Sequence, residues 1–358
     1  MAERPPQAAE PRVFLPGPTQ PFASALARLS LQEVHEIRLL LRGDSVIDWH
    51  RLGLRDEGDV TRLLKVNGID PSVPADRERA EDVRARAVTY IRETLGLRLS
   101  DGVGVEASIE EMFLMASTRG KHRREACTLL KVMHIIYHLD ARELRLLLPI
   151  ADNALYAHVE QSVVTLFDEL VSAGVPVKEF AWSRKTQDSL ITKLLVKRES
   201  SAARVFDRLR FRVVVDRPRD IIPTLHVMLQ RFIPFNFVVP AQTVNTLVDA
   251  VSIERKVGRA RDFSALPTVA LTGLANEFSG RGYQILNFVA DLPVRVDDLY
   301  DELPEGKGNV VFVLAEFQVV DLARRDANEE GESSHSNYKR RQYQRVRERL
   351  LREPKRES

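Results

Sequence analysis

The spacing of the hydrophobic residues changes at Gly174, and this change constrains the fold more than any other feature of the sequence. Before Gly174, apolar residues recur at three- and four-residue steps, as in amphipathic helices. After it, short runs rich in β-branched residues alternate with helical stretches. The sequence therefore predicts a mostly helical first part, followed by an α/β (α+β) part with a mixed sheet flanked by helices.

The predicted elements follow from these periods. The first helix begins at Ser30, where Glu33 completes a capping-box pattern, and ends near Gly43. Further helices are predicted within 60–149 and over 153–173, 189–197 and 221–232. Strands are predicted over 175–182, 211–215, 283–292 and 310–320. No period holds from 235 to 281, so this stretch is predicted to be an insertion with loops.

The chain of 358 residues is long enough for two domains of ordinary size. Residues 1–21 contain six prolines and little apolar material, which predicts a disordered tail. We expect a helical N-terminal domain over 22–150, the α/β domain over 151–345, and a basic tail over 346–358.

The composition is that of a soluble globular protein, with 44% hydrophobic and 29% charged residues. A net charge of +2 is too small for the whole protein to bind nucleic acid or membranes through its charge. The single cysteine, Cys127, excludes an internal disulfide and fits a reducing compartment. No apolar run approaches the roughly 18 to 20 residues of a membrane span, and the start lacks the apolar core of a signal peptide. We therefore expect a cytoplasmic protein.

The C-terminal segment 339–358 holds nine Lys or Arg residues against three Glu. Its apolar residues are spaced as one face of a helix, which predicts an amphipathic helix packed on the domain. The alternative is a contact with RNA or the ribosome through residues 339–356.

Two lysines around a predicted helix start are candidates for binding phosphate. Lys185 precedes the helix, and Lys193 lies eight residues later, about two turns along it. Lysine side chains and the N–H groups at a helix start together suit a triphosphate. The alternative is an ordinary charged helix start on the surface.

Acidic and aromatic residues beside the predicted strands are the other candidates. Asp207 comes just before a strand that carries Arg212, which suits either a Mg²⁺ ion or a structural ion pair. Tyr283 follows a glycine-rich loop and is either a stacking surface for a base or a core tyrosine. Glu316 and Gln318 share one face of an apolar strand, where a buried carboxylate requires a metal, a role as a base, or a basic partner.

The order and spacing of these blocks resemble the synthetase domain of the RelA/SpoT family, over roughly residues 155–345. These enzymes have a nucleotidyltransferase-like fold and transfer a pyrophosphoryl group from ATP to the ribose 3′-hydroxyl of GDP or GTP. The matching blocks are Lys185, Ser189 and Lys193, with Arg184 displaced by one position; Asp207 and Arg212; Gly282, Tyr283 and Gln284; Glu316 and Gln318; and Glu329, Gly331, His335, Tyr338 and Lys339.

The resemblance implies roles for these residues. Asp207 and Glu316 would bind Mg²⁺, and Glu316 would also draw the proton from the attacking hydroxyl. Lys185 and Lys193 would bind the phosphates of ATP, and Tyr283 would stack on guanine. The other residues implied in nucleotide binding are Arg184, Ser189, Arg212, Gln284, Asn287, Gln318 and His335.

The sequence departs from the family pattern at the predicted acceptor site. Asn287 stands where the family has a histidine. An amide side chain forms hydrogen bonds but, unlike histidine, does not take up or release a proton near neutral pH. This departure leaves a second interpretation, a nucleotide-binding regulatory module without turnover. The His-Asp dipeptide of the family's hydrolase domain is missing from the sequence, so no hydrolase activity is expected. His134 and His138 lie among apolar residues, which favours a structural role over a metal site.

Overall fold

A computed structural model describes eleven parts of the chain. They are residues 12–14, 36–38, 40–41, 54–172, 174–197, 208–240, 242–248, 283–300, 302–304, 306–330 and 335–351. Within these parts, no helix is both long and apolar enough to cross a membrane.

The first part of the chain is helical, as the sequence predicts. Its helices are α1 Glu57–Val66, α2 Pro74–Thr89, α3 Asp101–Gly104, α4 Ile109–Ser117 and α5 Arg123–Leu147. A π-helical turn, Tyr90–Thr94, continues α2. Local sequence sets the helix starts, since Ser108 and Glu111 form a capping box at α4. Residues 36–38 and 40–41 are helical within the first predicted helix, whose ends lie outside the described residues.

The second part combines five helices with a six-stranded sheet. The helices are α6 Asp152–Ser172, α7 Gln187–Lys197, α8 Ile221–Arg231, α9 Leu322–Glu329 and α10 His335–Leu350. The strands are β1 Arg12–Phe14, β2 Val177–Arg184, β3 Leu209–Val215, β4 Val244–Asn245, β5 Leu286–Arg295 and β6 Val310–Asp321.

The sheet has the strand order β1-β2-β3-β6-β5-β4. Only β3 and β6 are parallel neighbours among the described strands, and the other pairs are antiparallel. The predicted α/β class, with a mixed sheet flanked by helices and a helical N-terminal part, is confirmed.

The strand β1 corrects the prediction of a disordered tail over 1–21. Residues 12–14 pair with 179–181 of β2 and form the edge of the sheet. Edge strands tolerate nearby prolines because one side of the strand donates no ladder hydrogen bonds. Pairing with a distant strand therefore orders backbone that has little local tendency to fold.

One face of the sheet, here called the aromatic face, holds the core. Phe211 and Phe288 both lie 5.4 Å from Phe317, measured between ring centroids. From α6, Phe167 stacks on Phe180 of β2 at 4.0 Å. All five rings are almost fully buried, and each contributes roughly 1.5–3 kcal/mol to folding.

The opposite face is covered at one end by α5. Tyr137 and His138 of this helix pack against Phe312 near the start of β6. His138 Nε2 also lies 2.9 Å from Asp291 Oδ2 on β5, and the ring of His134 stacks on Phe237. His138 thus joins the helical part to the sheet, whereas His134 packs on Phe237, which lies outside the strands. The other end of this face carries polar side chains.

The structure adds elements that the sequence periods do not show. Helix α9 follows β6 directly and begins at Asp321, whose side chain accepts a hydrogen bond from Arg324 N. Within the predicted insertion 235–281, the structure describes a 3₁₀ turn, Phe235–Phe237, and β4. Residues 249–282 lie outside the described residues.

Candidate functional site

Five polar residues meet on the face opposite the aromatic face, here called the polar face. Arg210 and Arg212 of β3 lie directly opposite Glu316 and Gln318 of β6. Asn287 of β5 lies opposite Gln318 from the other side. Residues in register share a face of the sheet, so these five side chains, the polar cluster, converge on one place.

Glu316 is the centre of the polar cluster. Its Oε2 accepts a hydrogen bond from Arg210 Nε at 2.9 Å. Its Oε1 accepts one from Asn287 Nδ2 at 2.6 Å and one from Gln318 Nε2 at 3.1 Å. Only 4% of Glu316 is exposed, so these partners replace the water that an ionised carboxylate requires.

The charges around Glu316 hold it ionised. Burial alone raises the pKa of a carboxyl group, but the charges of Arg210 and Lys185 oppose this effect. Together with the hydrogen bonds from Arg210 and Gln318, they lower the pKa of Glu316 well below its usual value. A lowered pKa makes the carboxylate a weaker base, because general bases work best with a pKa near the operating pH. The surroundings therefore favour an electrostatic role for Glu316.

Arg212 links the polar cluster to α9. Its Nε donates to Gln318 Oε1 at 3.2 Å, and its Nη1 lies 3.7 Å from Glu329 Oε1 at the end of that helix. About one fifth of the Arg212 side chain is exposed, 21%. Its guanidinium thus stands at the rim of the polar cluster, where an anionic ligand has access.

Tyr283 lies beside the same cluster, three residues before β5 begins. Burial raises the pKa of its hydroxyl, and the charges of Arg212, Arg210 and Glu316 also act on it. The tyrosine is therefore a neutral ring within electrostatic reach of the cluster. An uncharged aromatic ring in this place offers a stacking surface for a base.

Lys185 approaches the cluster from the end of β2. Its backbone N donates to Arg208 O at 2.9 Å, which joins the end of β2 to the residue before β3. Its charge acts on Glu316. Ser189 and Lys193 follow on α7, where Ser189 Oγ lies 3.0 Å from Thr186 Oγ1 in the first turn.

Arg184, one residue away, is not brought to the cluster. Its Nε and Nη2 each lie 2.7 Å from a carboxylate oxygen of Glu160 on α6. Ser183, not Arg184, lies opposite Arg210 in the sheet. Successive strand residues point to opposite faces, so the one-position shift in the motif turns the guanidinium to the other side of the sheet.

Gln284 anchors the chain before β5 to α9. Its backbone N donates to Asn328 Oδ1 at 3.1 Å, and its Oε1 accepts from Arg324 Nε at 3.0 Å. Gln284 thus fixes the backbone next to Tyr283 to helix α9. Two other predicted site residues, Asp207 and the side chain of His335, lie outside the described residues.

Arg210 is a site residue that the sequence analysis missed. The sequence carries arginines at 208, 210 and 212, and the strand period of two places Arg210 on the same face as Arg212. The shared face was enough to predict that Arg210 lies beside Arg212 at the site. The sequence did not show that β3 and β6 are neighbours in register, which is what pairs Arg210 with Glu316.

Asn287 has an unused acceptor. Its Nδ2 donates to Glu316, whereas its buried Oδ1 has no hydrogen-bond partner among the described residues. Buried polar atoms are nearly always hydrogen-bonded, so this oxygen suits an N–H or O–H group of a ligand. The replacement of the family's histidine thus leaves a hydrogen-bonding group in place.

The donor atoms of the cluster fit Mg²⁺ in chemical type. An ionised carboxylate, that of Glu316, is a ligand that this ion prefers. The three cations Lys185, Arg210 and Arg212 outnumber the carboxylates Glu316 and Glu329 in the described part of the site. This balance suits a metal that arrives together with negatively charged phosphates.

Comparison with known proteins gave matches only among solved structures. Profiles of known protein families and curated protein sequences gave none. The chain is structurally similar to the small alarmone synthetase 2 from Bacillus subtilis, with 14% identity and a TM-score of 0.31. That alignment covers 55% of this chain and 93% of the other.

Two further solved structures match with similar sequence identity and TM-score. The small alarmone synthetase 1 from Bacillus subtilis, bound to its product pppGpp, matches with 16% identity and a TM-score of 0.31, covering 54% of this chain and 84% of the other. A GTP pyrophosphokinase family protein from Streptococcus pneumoniae matches with 15% identity and a TM-score of 0.28, covering 55% and 88%. The likeness is distant in both sequence identity and TM-score.

Proposed function

We propose that this chain binds ATP and a guanine nucleotide, GDP or GTP, at the polar face. It then transfers the pyrophosphoryl group of ATP to the ribose 3′-hydroxyl of the guanine nucleotide. The observation that carries this proposal is the buried, ionised Glu316 with Arg210, Lys185 and Tyr283 around it. Cations, a carboxylate and an aromatic ring in one place are the groups that phosphoryl-type transfer requires.

In the proposed reaction, the 3′-oxygen forms a bond to the β-phosphorus of ATP. The bond from this phosphorus to the oxygen bridging it to the α-phosphate breaks, and AMP leaves with that oxygen. Lys185, Arg210 and Arg212 bind the phosphate oxygens, and Lys193 on α7 extends this series. Tyr283 stacks on the guanine base, and Asn287 Oδ1 accepts a hydrogen bond from the acceptor nucleotide.

Glu316 and Asp207 would hold Mg²⁺, which when bound neutralises charge on the phosphates. The low pKa of Glu316 keeps its carboxylate available for this role at any pH near neutrality. The proton of the 3′-hydroxyl then passes to water, because the lowered pKa of Glu316 makes its carboxylate a weaker base. Catalysis rests on positioning and charge neutralisation.

Product analysis tests this proposal. Purified full-length protein is incubated with ATP, Mg²⁺ and GDP or GTP, and the nucleotides are separated by anion exchange. We expect AMP and a guanine nucleotide with two added phosphates in equal amounts. Glu316→Gln removes the product, whereas Glu302→Gln, which changes an exposed carboxylate outside the cluster, leaves it unchanged. Lack of product with the unmodified protein, or equal product with Glu316→Gln, contradicts the proposal.

A regulatory module that binds nucleotides without turnover is the second candidate. It is favoured by one observation: both oxygens of Glu316 already hold hydrogen bonds, from Arg210, Asn287 and Gln318. Calorimetric titration with ATP, GTP and guanosine tetraphosphate separates the two candidates. Binding without product supports the module, and lack of binding contradicts both.

A contact with RNA or the ribosome through α10 is compatible with either candidate. This helix packs against α7, and Arg340, Arg345 and Arg347 are exposed on it. Exposed arginines on a packed helix suit contacts with phosphate groups. Binding to ribosomal RNA that weakens steeply with salt and is lost on truncation after Tyr338 supports this contact. Binding that survives the truncation contradicts it.

A further inference from the structure

The backbone that carries Tyr283 lies just outside the sheet. Leu286 and Val319 are the first described pair of the ladder between β5 and β6. Residues 283–285, which precede this pair, belong to no strand. Backbone N–H and C=O groups outside a ladder need other hydrogen-bond partners. The partners of residues 283–285 therefore decide where Tyr283 stands.

Asn328 of α9 holds both backbone groups of Gln284. Its Nδ2 donates to Gln284 O at 2.8 Å, and its Oδ1 accepts from Gln284 N at 3.1 Å. One amide side chain thus makes the two hydrogen bonds that a residue of a neighbouring antiparallel strand would make. The N–H of Gln284 belongs to the peptide group that joins it to Tyr283. Asn328 therefore fixes the peptide group next to the tyrosine.

Thr246, which follows β4, holds the other neighbour. Its Oγ1 accepts from Ile285 N at 2.9 Å, and its backbone N donates to Ile285 O at 3.0 Å. The same Oγ1 lies 3.4 Å from Tyr283 O, a longer contact. Residues 283–285 are thus held between Thr246 and Asn328. The contact with Asn328 is the shorter of the two at the peptide group beside Tyr283.

Helix α9 is itself fixed to the sheet. Asp321 at its start has a fully buried side chain, which accepts a hydrogen bond from Arg324 Nη1 at 2.8 Å. Arg325 Nη1 donates to the carboxylate of Glu179 on β2, which is also buried. Asn328 therefore projects from an element that is tied to the sheet. Side chains on such elements position their neighbours more precisely than side chains on loops.

We propose that Asn328 is a positioning residue for the guanine nucleotide, because it holds the backbone from which the ring of Tyr283 extends. Asn328 acts through Tyr283 and does not itself touch the nucleotide. This inference rests on the proposed function, in which Tyr283 stacks on the guanine base. A ring that is already held in place loses less conformational freedom when the base binds, so the nucleotide binds more tightly.

Calorimetric titration of the full-length protein with GTP and with ATP tests the inference. Asn328→Leu removes both hydrogen bonds to Gln284, and we expect GTP to bind about fivefold more weakly, the cost of ordering one side chain. ATP binding is expected to stay unchanged. Ala327→Leu is the matched control, because it adds the same side chain at an exposed position of α9, and it should leave both affinities unchanged.

A double-mutant cycle with Tyr283→Leu separates positioning from a merely structural role. A positioning residue acts only through the ring, so Asn328→Leu should not weaken GTP binding further once Tyr283 is replaced. A structural role would weaken binding by the same factor with or without the ring. Thermal unfolding checks that each variant folds. If Asn328→Leu does not fold, Asn328→Asp replaces it, because aspartate keeps the acceptor and loses the donor.

Three results overturn the inference: Asn328→Leu binds GTP as tightly as the unmodified protein, it loses GTP and ATP affinity equally, or its loss is the same without Tyr283. Lack of GTP binding to the unmodified protein contradicts both the inference and the proposed function. GTP binding without product contradicts the proposed transfer alone, and the double-mutant cycle then still decides the role of Asn328.

Discussion

Arg210 Nε donates to Glu316 Oε2 at 2.9 Å, and the two residues stand directly opposite each other on the parallel strands β3 and β6. Their side chains are 18% and 5% exposed, so the pair is largely removed from water. A buried pair adds little net stability by itself, but removing one partner leaves the other charge buried without compensation. Substitutions at Arg210 and Glu316 should therefore change the free energy of unfolding measurably.

Arg210→Met is expected to lower the free energy of unfolding by about 3 kcal/mol, because it leaves Glu316 buried with less positive charge nearby. Urea unfolding at neutral pH measures the effect. Adding Glu316→Gln to this variant is expected to restore most of the loss, because no buried charge then remains. A double variant whose loss equals the sum of the two single losses would contradict the pairing.

The neighbours Arg184 and Lys185 provide a matched pair of substitutions. Lys185→Ala is expected to weaken ATP binding about tenfold or more, since a charge-assisted contact to phosphate is lost. Arg184→Ala is expected to leave ATP binding unchanged, because this side chain binds Glu160 on the aromatic face. Calorimetric titration with ATP measures both. Equal losses in the two variants would show that Arg184 also reaches the nucleotide.

Asn287→Leu is expected to affect the acceptor nucleotide more than ATP. The substitution removes the unused Oδ1 acceptor and one hydrogen bond to Glu316. We expect the KM for GDP or GTP to rise about tenfold, the cost of one buried hydrogen bond, while the affinity for ATP changes little. Steady-state kinetics with each nucleotide varied in turn measures the two effects. An equal loss for both nucleotides would place Asn287 outside the acceptor site.

The stability of the protein is expected to fall as the pH is lowered from 6.5 towards 4. Burial lowers the pKa of His134 from 6.5 to about 4, so the unfolded chain takes up a proton that the folded chain does not. Between pH 7.5 and 5 this group should cost at most about 2 kcal/mol of unfolding free energy. His134→Phe retains a ring against Phe237 and should show a pH dependence smaller by that amount. An unchanged pH dependence in this variant would contradict the assignment.

The strand period allowed part of the polar face to be predicted from sequence. Glu316 and Gln318 share a face because they are two residues apart in a strand, and the structure places them so. The helical first part and the mixed sheet followed from periodicity in the same way. These features depend only on neighbours in sequence.

Features that depend on distant pairing did not follow from sequence. The hydrogen bond from Arg210 to Glu316 requires the parallel register of β3 and β6. The strand β1 forms because it pairs with β2, which is distant in sequence. The position of Arg184 depends on β2 extending to that residue, two residues beyond the predicted end. A shift of one residue at such a strand end decides which face a side chain occupies.

The destination of a labelled γ-phosphate distinguishes pyrophosphoryl transfer from simple hydrolysis of ATP. ATP carrying the label at its γ-phosphate is incubated with the protein, Mg²⁺ and unlabelled GDP, and the nucleotides are separated. We predict that the label moves to the guanine nucleotide and that one AMP forms for each label transferred. Label that stays on ATP, or that appears as free phosphate with ADP, would contradict pyrophosphoryl transfer at the polar face.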